Sequence, residues 1–157
     1  MRDLHEYRVG IEWTGNRGSG TSGYREYGRE LVVRAEGKPE LAGSADRTFH
    51  GNADRWNPEE LLVTALAQCH MLSYLHMAVR AGVAVTAYTD EAFGVMRTAG
   101  LGGAFEEVVL RPVVTVKEAA MVAAARAVHA EAREHCFIAN SVNFPVRHEP
   151  TILVEGS

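Results

Sequence analysis

Two sulfur atoms are the first candidates for chemistry in this chain. Cys69 lies in "NPEELLVTALAQCHMLSYLH", residues 57–76, and the only other cysteine, Cys136, lies in "EAREHCFIANSV", 67 positions further on. A free cysteine on an apolar helix face usually packs as a small hydrophobe. To react, it must be a thiolate. An ordinary thiol, with a pKa of roughly 8.5, is mostly protonated at neutral pH, and burial raises that value further. A reactive Cys69 therefore needs a cation beside it. If the two segments pack together, the sulfurs come within disulfide range, which requires Cα atoms roughly 4.4 to 6.8 Å apart. The spacing permits that contact and does not demand it.

Other chemistries find less support. Cys69–His70 and His135–Cys136 offer two thiols and two imidazoles, but neighbours on a helix point about 100° apart, and no C-x-x-C or H-x-x-x-H pair is present. A metal centre is therefore not expected. His76, seven positions after Cys69, shares its helix face and reads as a hydrogen-bonded core histidine, whereas His5, His50, His129 and His148 carry no readable signal. Ser73 and Ser141 lack a nucleophile elbow, and no carboxylate pair is spaced for glycoside chemistry. The glycine-rich "TGNRGSGTSG", 14–23, has no Gly-Lys-Ser/Thr and no helix behind it, so it reads as a turn rather than a phosphate cradle.

The elements that must hold the thiols are legible from periodicity and caps. Asn57 is a favoured N-cap, Pro58 suits the first helical position, and Glu59 and Glu60 sit where the helix dipole favours negative charge. The helix is expected to run to about Arg80 and stop at Gly82, with Leu62, Ala65, Leu66, Cys69, Leu72 and Val79 as its inward stripe. A second helix is expected over 117–136, with Met121, Ala124, Ala125, Val128 and Ala132 on one side. Strands are expected over 7–13, where Tyr7, Val9, Ile11 and Trp13 share one face, and over 24–37, with a short one possible after residue 38. Residues 83–96 and 104–116 are strand-like and joined by the glycine-rich "RTAGLGG", and a last strand covers 144–156. This order of strands, helix, strand pair, helix and strand points to an α+β architecture with antiparallel sheet and segregated helices. Open strand edges make a dimer plausible.

Composition bounds the rest. The 157 residues suit one domain, 1–157, and 46% apolar with 23% charged residues is ordinary for a globular protein. A net charge of −4 argues against a nucleic-acid-binding surface. The start, "MRDLHEYRVGIEW", has no signal-peptide core, and no run of about 18 apolar residues is evident, so the expectation is a cytoplasmic protein without a membrane span. In such a compartment a disulfide is more often transient and catalytic than structural.

The segments "NPEELLVTALAQCHMLSYLH", with Glu59 ten positions before Cys69, and "HCFIANSV" resemble the OsmC/Ohr superfamily, named for osmotically induced and organic-hydroperoxide-resistance proteins. "EWTGN", "GSGTSGYREYGRE" and "SADRTFHG" support the match, which spans residues 7–147, and "CHMLSYLH" looks more like the OsmC-like branch than Ohr proper. The resemblance implies an intertwined homodimer, two central helices wrapped by antiparallel sheet, and a cysteine-based peroxidase acting on organic hydroperoxides. In that family pattern Cys69 is the peroxidatic thiolate and leaves as a sulfenic acid, and Cys136 is the resolving thiol that closes a disulfide. An external dithiol, lipoylated protein in some members, reopens it. No metal, haem or flavin cofactor is implied, because sulfur passes through its own oxidation states.

Physical chemistry sets the demands on that pattern. Lowering a thiol pKa from about 8.5 to about 5.5 requires roughly 4 kcal/mol, which one poorly solvated guanidinium can supply. The resemblance places that cation in the first hairpin, where "YREYGRE" offers Arg29 first and Arg25 second on one strand face with Tyr27, or just before the N-P-E motif, where Arg55 and Arg47 stand. Glu59 is about 15 Å of helix rise from Cys69, so it acts by holding the arginine or across a dimer, unless it is only a charge favoured by the helix dipole. Ala65 leaves room for an alkyl tail. The rival expectation is a non-catalytic relative of the same fold that binds a small apolar ligand or senses redox state.

Overall fold

The computed structural model describes residues 3–157, which fall into two compact units, one ending at Leu61 and one running from Leu62 to Ser157. In the first unit, β1 (Gly10–Trp13), β2 (Leu31–Arg34) and β3 (Leu41–Gly43) form an antiparallel sheet in that order, with Trp13 opposite Leu31 and Leu31 opposite Gly43. The face expected to be buried over 7–13 is open instead: Tyr7, Val9 and Ile11 are all exposed. The strand expected over 24–37 shrinks to its last part. Glu26 N–H bonds the Gly23 carbonyl and Gly28 N–H bonds that of Gly15, so residues 23–28 form a turn. Arg25, Tyr27 and Arg29 accordingly do not line one strand face.

The loop from Ser44 to Trp56 delivers the chain to the first helix, α1 (Pro58–Arg80). Ser44 N–H bonds the Trp56 carbonyl at 2.9 Å, and its hydroxyl bonds Asn52 Oδ1 at 2.8 Å. Asn57 Oδ1 then accepts the N–H of Glu60 at 2.8 Å while Glu60 Oε2 lies 3.5 Å from the Asn57 N–H, a reciprocal capping box. Both helix ends fall where the sequence puts them. Gly82, at φ +70°, takes the left-handed turn that ends the helix.

In the second unit, β4 (Val85–Asp90), β7 (Pro112–Val116) and β9 (Thr151–Val154) form one sheet, and β5 (Phe93–Ala99), β6 (Gly102–Leu110) and β8 (Val146–His148) form another. The glycine-rich hairpin is present between β5 and β6. The long strands expected on either side of it are each broken, at Glu91–Ala92 and at Arg111, and the last strand breaks at Glu149–Pro150. The breaks have a local cause. Pro112 and Pro150 lack an N–H for a continuing ladder, and Arg111 N–H bonds the Asp90 carboxylate at 2.8 Å rather than a strand. Each break lets the chain change sheets. The sheets are also not wholly antiparallel, because β8 joins β6 and β9 joins β7 in parallel.

The α+β class is as the sequence indicates. The second helix, α2 (Val122–Glu134), starts later than expected because Lys117 N–H is still bonded to Ala84 across the sheet end. Its buried side, Ala125, Val128 and Ala132 with Met121 and Ala124 against the same cluster, is the side the sequence marks.

The inward face of α1 is not. Leu66 is buried as expected, but the buried line continues through His70, Tyr74, Met77 and Ala78, while Leu72 is 55% and Val79 79% exposed. Helix α1 is also long and apolar enough, by length and composition, to cross a membrane, although Thr64, Gln68, His70, Ser73 and His76 interrupt it so that it holds no unbroken apolar run of that length. Its His70, Ser73 and Tyr74 side chains all bond to α2, which makes it a core helix of this unit.

Candidate active site

Cys69 sits half-buried beside the inward line of α1, and Cys136 is buried just beyond the end of α2. The contacts between these helices fix how they run. Ser73, one turn after Cys69, bonds Ala132, one turn before Cys136; His70 meets His129, and Tyr74, one turn on, bonds Ala125. Moving up α1 thus moves down α2, so the helices are antiparallel and the two cysteines lie opposite one another. Both are free thiols, and Cys69 is near enough to Cys136 to help raise its pKa.

Their surroundings differ. Burial, then the hydrogen bond to Cys69, push the Cys136 thiol up to about 11, against a smaller opposing effect of the Ala139 N–H, 3.5 Å from its sulfur. Cys136 is therefore a protonated thiol at neutral pH. The following loop holds it, since the Cys136 carbonyl accepts the N–H of Asn140 at 3.1 Å and Asn140 Nδ2 bonds the Glu134 carbonyl at 3.0 Å. Beside this loop, Arg133, Glu134, Ala139, Asn140 and Phe144 line a cavity of about 340 Å³.

The arginine candidates belong to the first unit. Arg29 is the most constrained: its guanidinium carbon lies 4.0 Å over the Tyr27 ring, and Nη1 donates to the carbonyls of Tyr24 and Tyr27, each at 2.7 Å. Tyr24, Tyr27, Arg29, Thr48, Phe49 and His50 line an open groove of about 390 Å³. Arg25 is exposed, and its carbonyl accepts from Arg17. Arg55 donates to the Leu31 carbonyl at 3.3 Å, and Arg47 is exposed in a 3-10 turn. Glu59 is half-buried in the first turn of α1, and its Oε2 is buried without a hydrogen-bond partner among the described residues.

Three residues form a contact that the sequence does not signal. His148 Nε2 lies 3.1 Å from His70 Nδ1, and His70 Nε2 lies 3.0 Å from His129 Nδ1, so three imidazoles form one chain through the interior of the second unit. His129 could have been found from its place beside Val128 and Ala132 on the inward side of α2; His148, on a short strand, had no such signal. His76, expected in the core, is exposed. Among the described residues no cluster of three or more His, Cys, Asp or Glu is arranged to hold a metal ion.

The family model described as "OsmC-like protein" matches residues 51–151, which include both cysteines and the helices that carry them. The chain belongs to the OsmC-like family. The same fold recurs in solved structures. An OsmC-like protein of unknown function, VCA0330 from Vibrio cholerae, is 28% identical with a TM-score of 0.82, covering 94% of this chain and 99% of that one. An organic hydroperoxide resistance protein OsmC from Legionella pneumophila is 18% identical with a TM-score of 0.68, covering 97% and 99%. A putative organic hydroperoxide resistance protein from Vibrio cholerae, with captopril bound in one of its active sites, is 24% identical with a TM-score of 0.63, covering 98% and 95%. A comparison with curated proteins gives no match.

Proposed function

We propose that this OsmC-like protein is a cytoplasmic thiol peroxidase that reduces organic hydroperoxides. The observation that carries the proposal is the contact between two free thiols of unequal character, Cys69 half-buried and Cys136 buried with its proton held. That inequality supports the following roles. The Cys69 thiolate attacks the terminal oxygen of the hydroperoxide and breaks the O–O bond, giving Cys69 sulfenic acid and an alkoxide that takes a proton to leave as the alcohol. Cys136 then loses its proton and attacks the Cys69 sulfur. The S–O bond breaks, water leaves, and a Cys69–Cys136 disulfide forms. An external dithiol, lipoylated protein being one chemical candidate, reduces it by thiol–disulfide exchange.

Arg29 is proposed as the cation that favours the thiolate and meets the developing alkoxide charge, with Arg25 second. Glu59 is proposed to orient that arginine, its unpartnered buried oxygen being free to accept a guanidinium N–H. A homodimer is part of the same proposal. In the second unit the exposed Leu72 and Val79 on α1, and separately in the first unit Tyr7, Val9 and Ile11 around β1, offer apolar surface for a second copy to cover.

The test is turnover of tert-butyl or cumene hydroperoxide with dithiothreitol or dihydrolipoamide. Cys69→Ser is expected to abolish it, and Cys136→Ser to spare the first turnover while blocking the disulfide. Full activity in Cys69→Ser protein would end the proposal.

A further inference from the structure

Ser73 stands one helical turn beyond Cys69, and its hydroxyl donates to the carbonyl of Ala132 at 3.0 Å, one turn before Cys136. In a regular α-helix the Ala132 carbonyl would take the N–H of the residue four positions on, which is Cys136. Here it does not. The Cys136 N–H goes to the Arg133 carbonyl at 3.3 Å, a tighter three-residue step, while His135 still bonds Glu131 at 3.2 Å. The helix therefore lets go at Cys136, and Ala132 becomes one of the carbonyls that a helix C-terminus leaves without an internal partner. A side chain from the opposite helix satisfies it.

We infer that Ser73 is a positioning residue for the thiol pair: by occupying the Ala132 carbonyl, its hydroxyl frees the Cys136 backbone from the helix and holds the Cys136 sulfur against Cys69. The contact lies in register with both cysteines, one turn from each. On the other side, the Ala139 N–H on the sulfur and the Asn140 N–H on the Cys136 carbonyl hold the same residue. Without the hydroxyl, the Cys136 N–H can return to the Ala132 carbonyl. The α-helix is then extended by one residue, and the side chain rotates with it. This deepens the peroxidase reading and rests on it for its catalytic consequence, faster closure of the disulfide. The effect on the thiol pair itself stands apart from peroxide chemistry.

The experiment equilibrates the full-length protein in glutathione redox buffers. Glutathione disulfide takes two electrons from Cys69 and Cys136, forming one S–S bond and releasing two glutathione thiols, so the equilibrium constant reports how well the two sulfurs are held together. Ser73→Ala and Ser73→Val, which lack the hydroxyl, are expected to shift that constant about fivefold toward the dithiol, the size of one net hydrogen bond. Ser73→Thr, close in shape to valine but keeping the hydroxyl, is expected to stay within about twofold of wild type on the same scale. The Thr/Val pair carries the test if the alanine variant does not fold. Equal constants for wild type and Ser73→Val overturn the inference, as does a Ser73→Thr shift as large as that of valine. If wild-type protein ignores hydroperoxides while the valine and threonine constants separate, the peroxidase reading falls and the positioning role stands.

Discussion

His70 Nε2 and His129 Nδ1 face each other at 3.0 Å inside the second unit, and the far nitrogen of His129 is buried with no partner among the described residues. Each neutral imidazole carries one N–H, so the chain His148–His70–His129 must run in one direction. An orphaned buried acceptor is tolerated better than an orphaned donor. His129 Nδ1–H therefore donates to His70, and His70 Nδ1–H donates to His148, which keeps its own proton on Nδ1.

That chain makes the fold acid-sensitive. Burial first, then the positive potential of neighbouring groups, lowers His70 to about 3 and His129 and His148 to about 4, from an ordinary 6.5. The neighbours that act are the other imidazoles, Arg126 for His129 and Arg133 for His148. Because the folded values are depressed, the unfolded chain binds protons first as the pH falls. Stability is complete above about 6.5 and is lost from there toward about 4. At pH 5 the cost is roughly 2 kcal/mol for each of the two buried rings, His70 and His129. Urea midpoints measured at pH 7.5 and 5.0 are expected to drop accordingly, in a window above most carboxylate titration. A flat profile there would contradict two neutral, buried rings at His70 and His129.

The same unequal burial sets the order of thiol modification. With its pKa pushed up to about 11, Cys136 is thiolate in on the order of one molecule in 3,000 at pH 7.5, and it is only 1% exposed. Brief treatment of native reduced protein with iodoacetamide, read by peptide mass spectrometry, is expected to label Cys69 well ahead of Cys136. Labelling of Cys136 first would reverse the roles given to the two sulfurs.

The loop that launches α1 is sensitive at one glycine. A Cβ at Gly51 would lie 1.6 Å from the Ala45 carbonyl oxygen, a backbone atom with no rotamer to yield. Gly51→Ala must therefore displace the Ser44–Asn52 hydrogen bonds and the approach to Asn57. A loss of about 1–3 kcal/mol in chemical denaturation is expected, as for overpacking elsewhere. Unchanged stability would mean that the loop is free to move away.

What the sequence reveals follows from range. The limits of α1 depend on Asn57, Glu60 and Gly82, all local to its ends, and were readable; so were the β5–β6 hairpin and the inward side of α2. The inward side of α1 was not, because His70 and Tyr74 look polar until partners arrive from His129 and Ala125, 59 and 51 residues away. Leu72 and Val79 fit the inward period for the matching reason, that an apolar residue at the right period does not say which surface covers it. The thiol pairing could be framed as a question but not answered, since it turns on the register of two antiparallel helices. Arg29 is legible as a candidate but its place after a turn is not, because the turn at Gly23–Gly28 depends on a bond back to Gly15.

Arg29 also supplies the test of the cation. Its guanidinium is held by two carbonyls and the Tyr27 ring, and none of the ion pairs among the described residues includes it, so the charge is preorganised and still open to the carboxylate proposed for Glu59. Among the described residues nothing comparable holds the Arg25 side chain. If a preorganised cation serves the alkoxide, Arg29→Ala should lower kcat/KM for cumene hydroperoxide about 100-fold, with Arg25→Ala near wild type. Arg29→Lys keeps the charge but loses the planar fork that grips both carbonyls, so it should fall between the two. The measurement is steady-state turnover with dihydrolipoamide, alongside circular dichroism to confirm folding. If Arg25→Ala is the more damaging, the role passes to Arg25, and the stacked Tyr27–Arg29 pair becomes a structural brace for the turn.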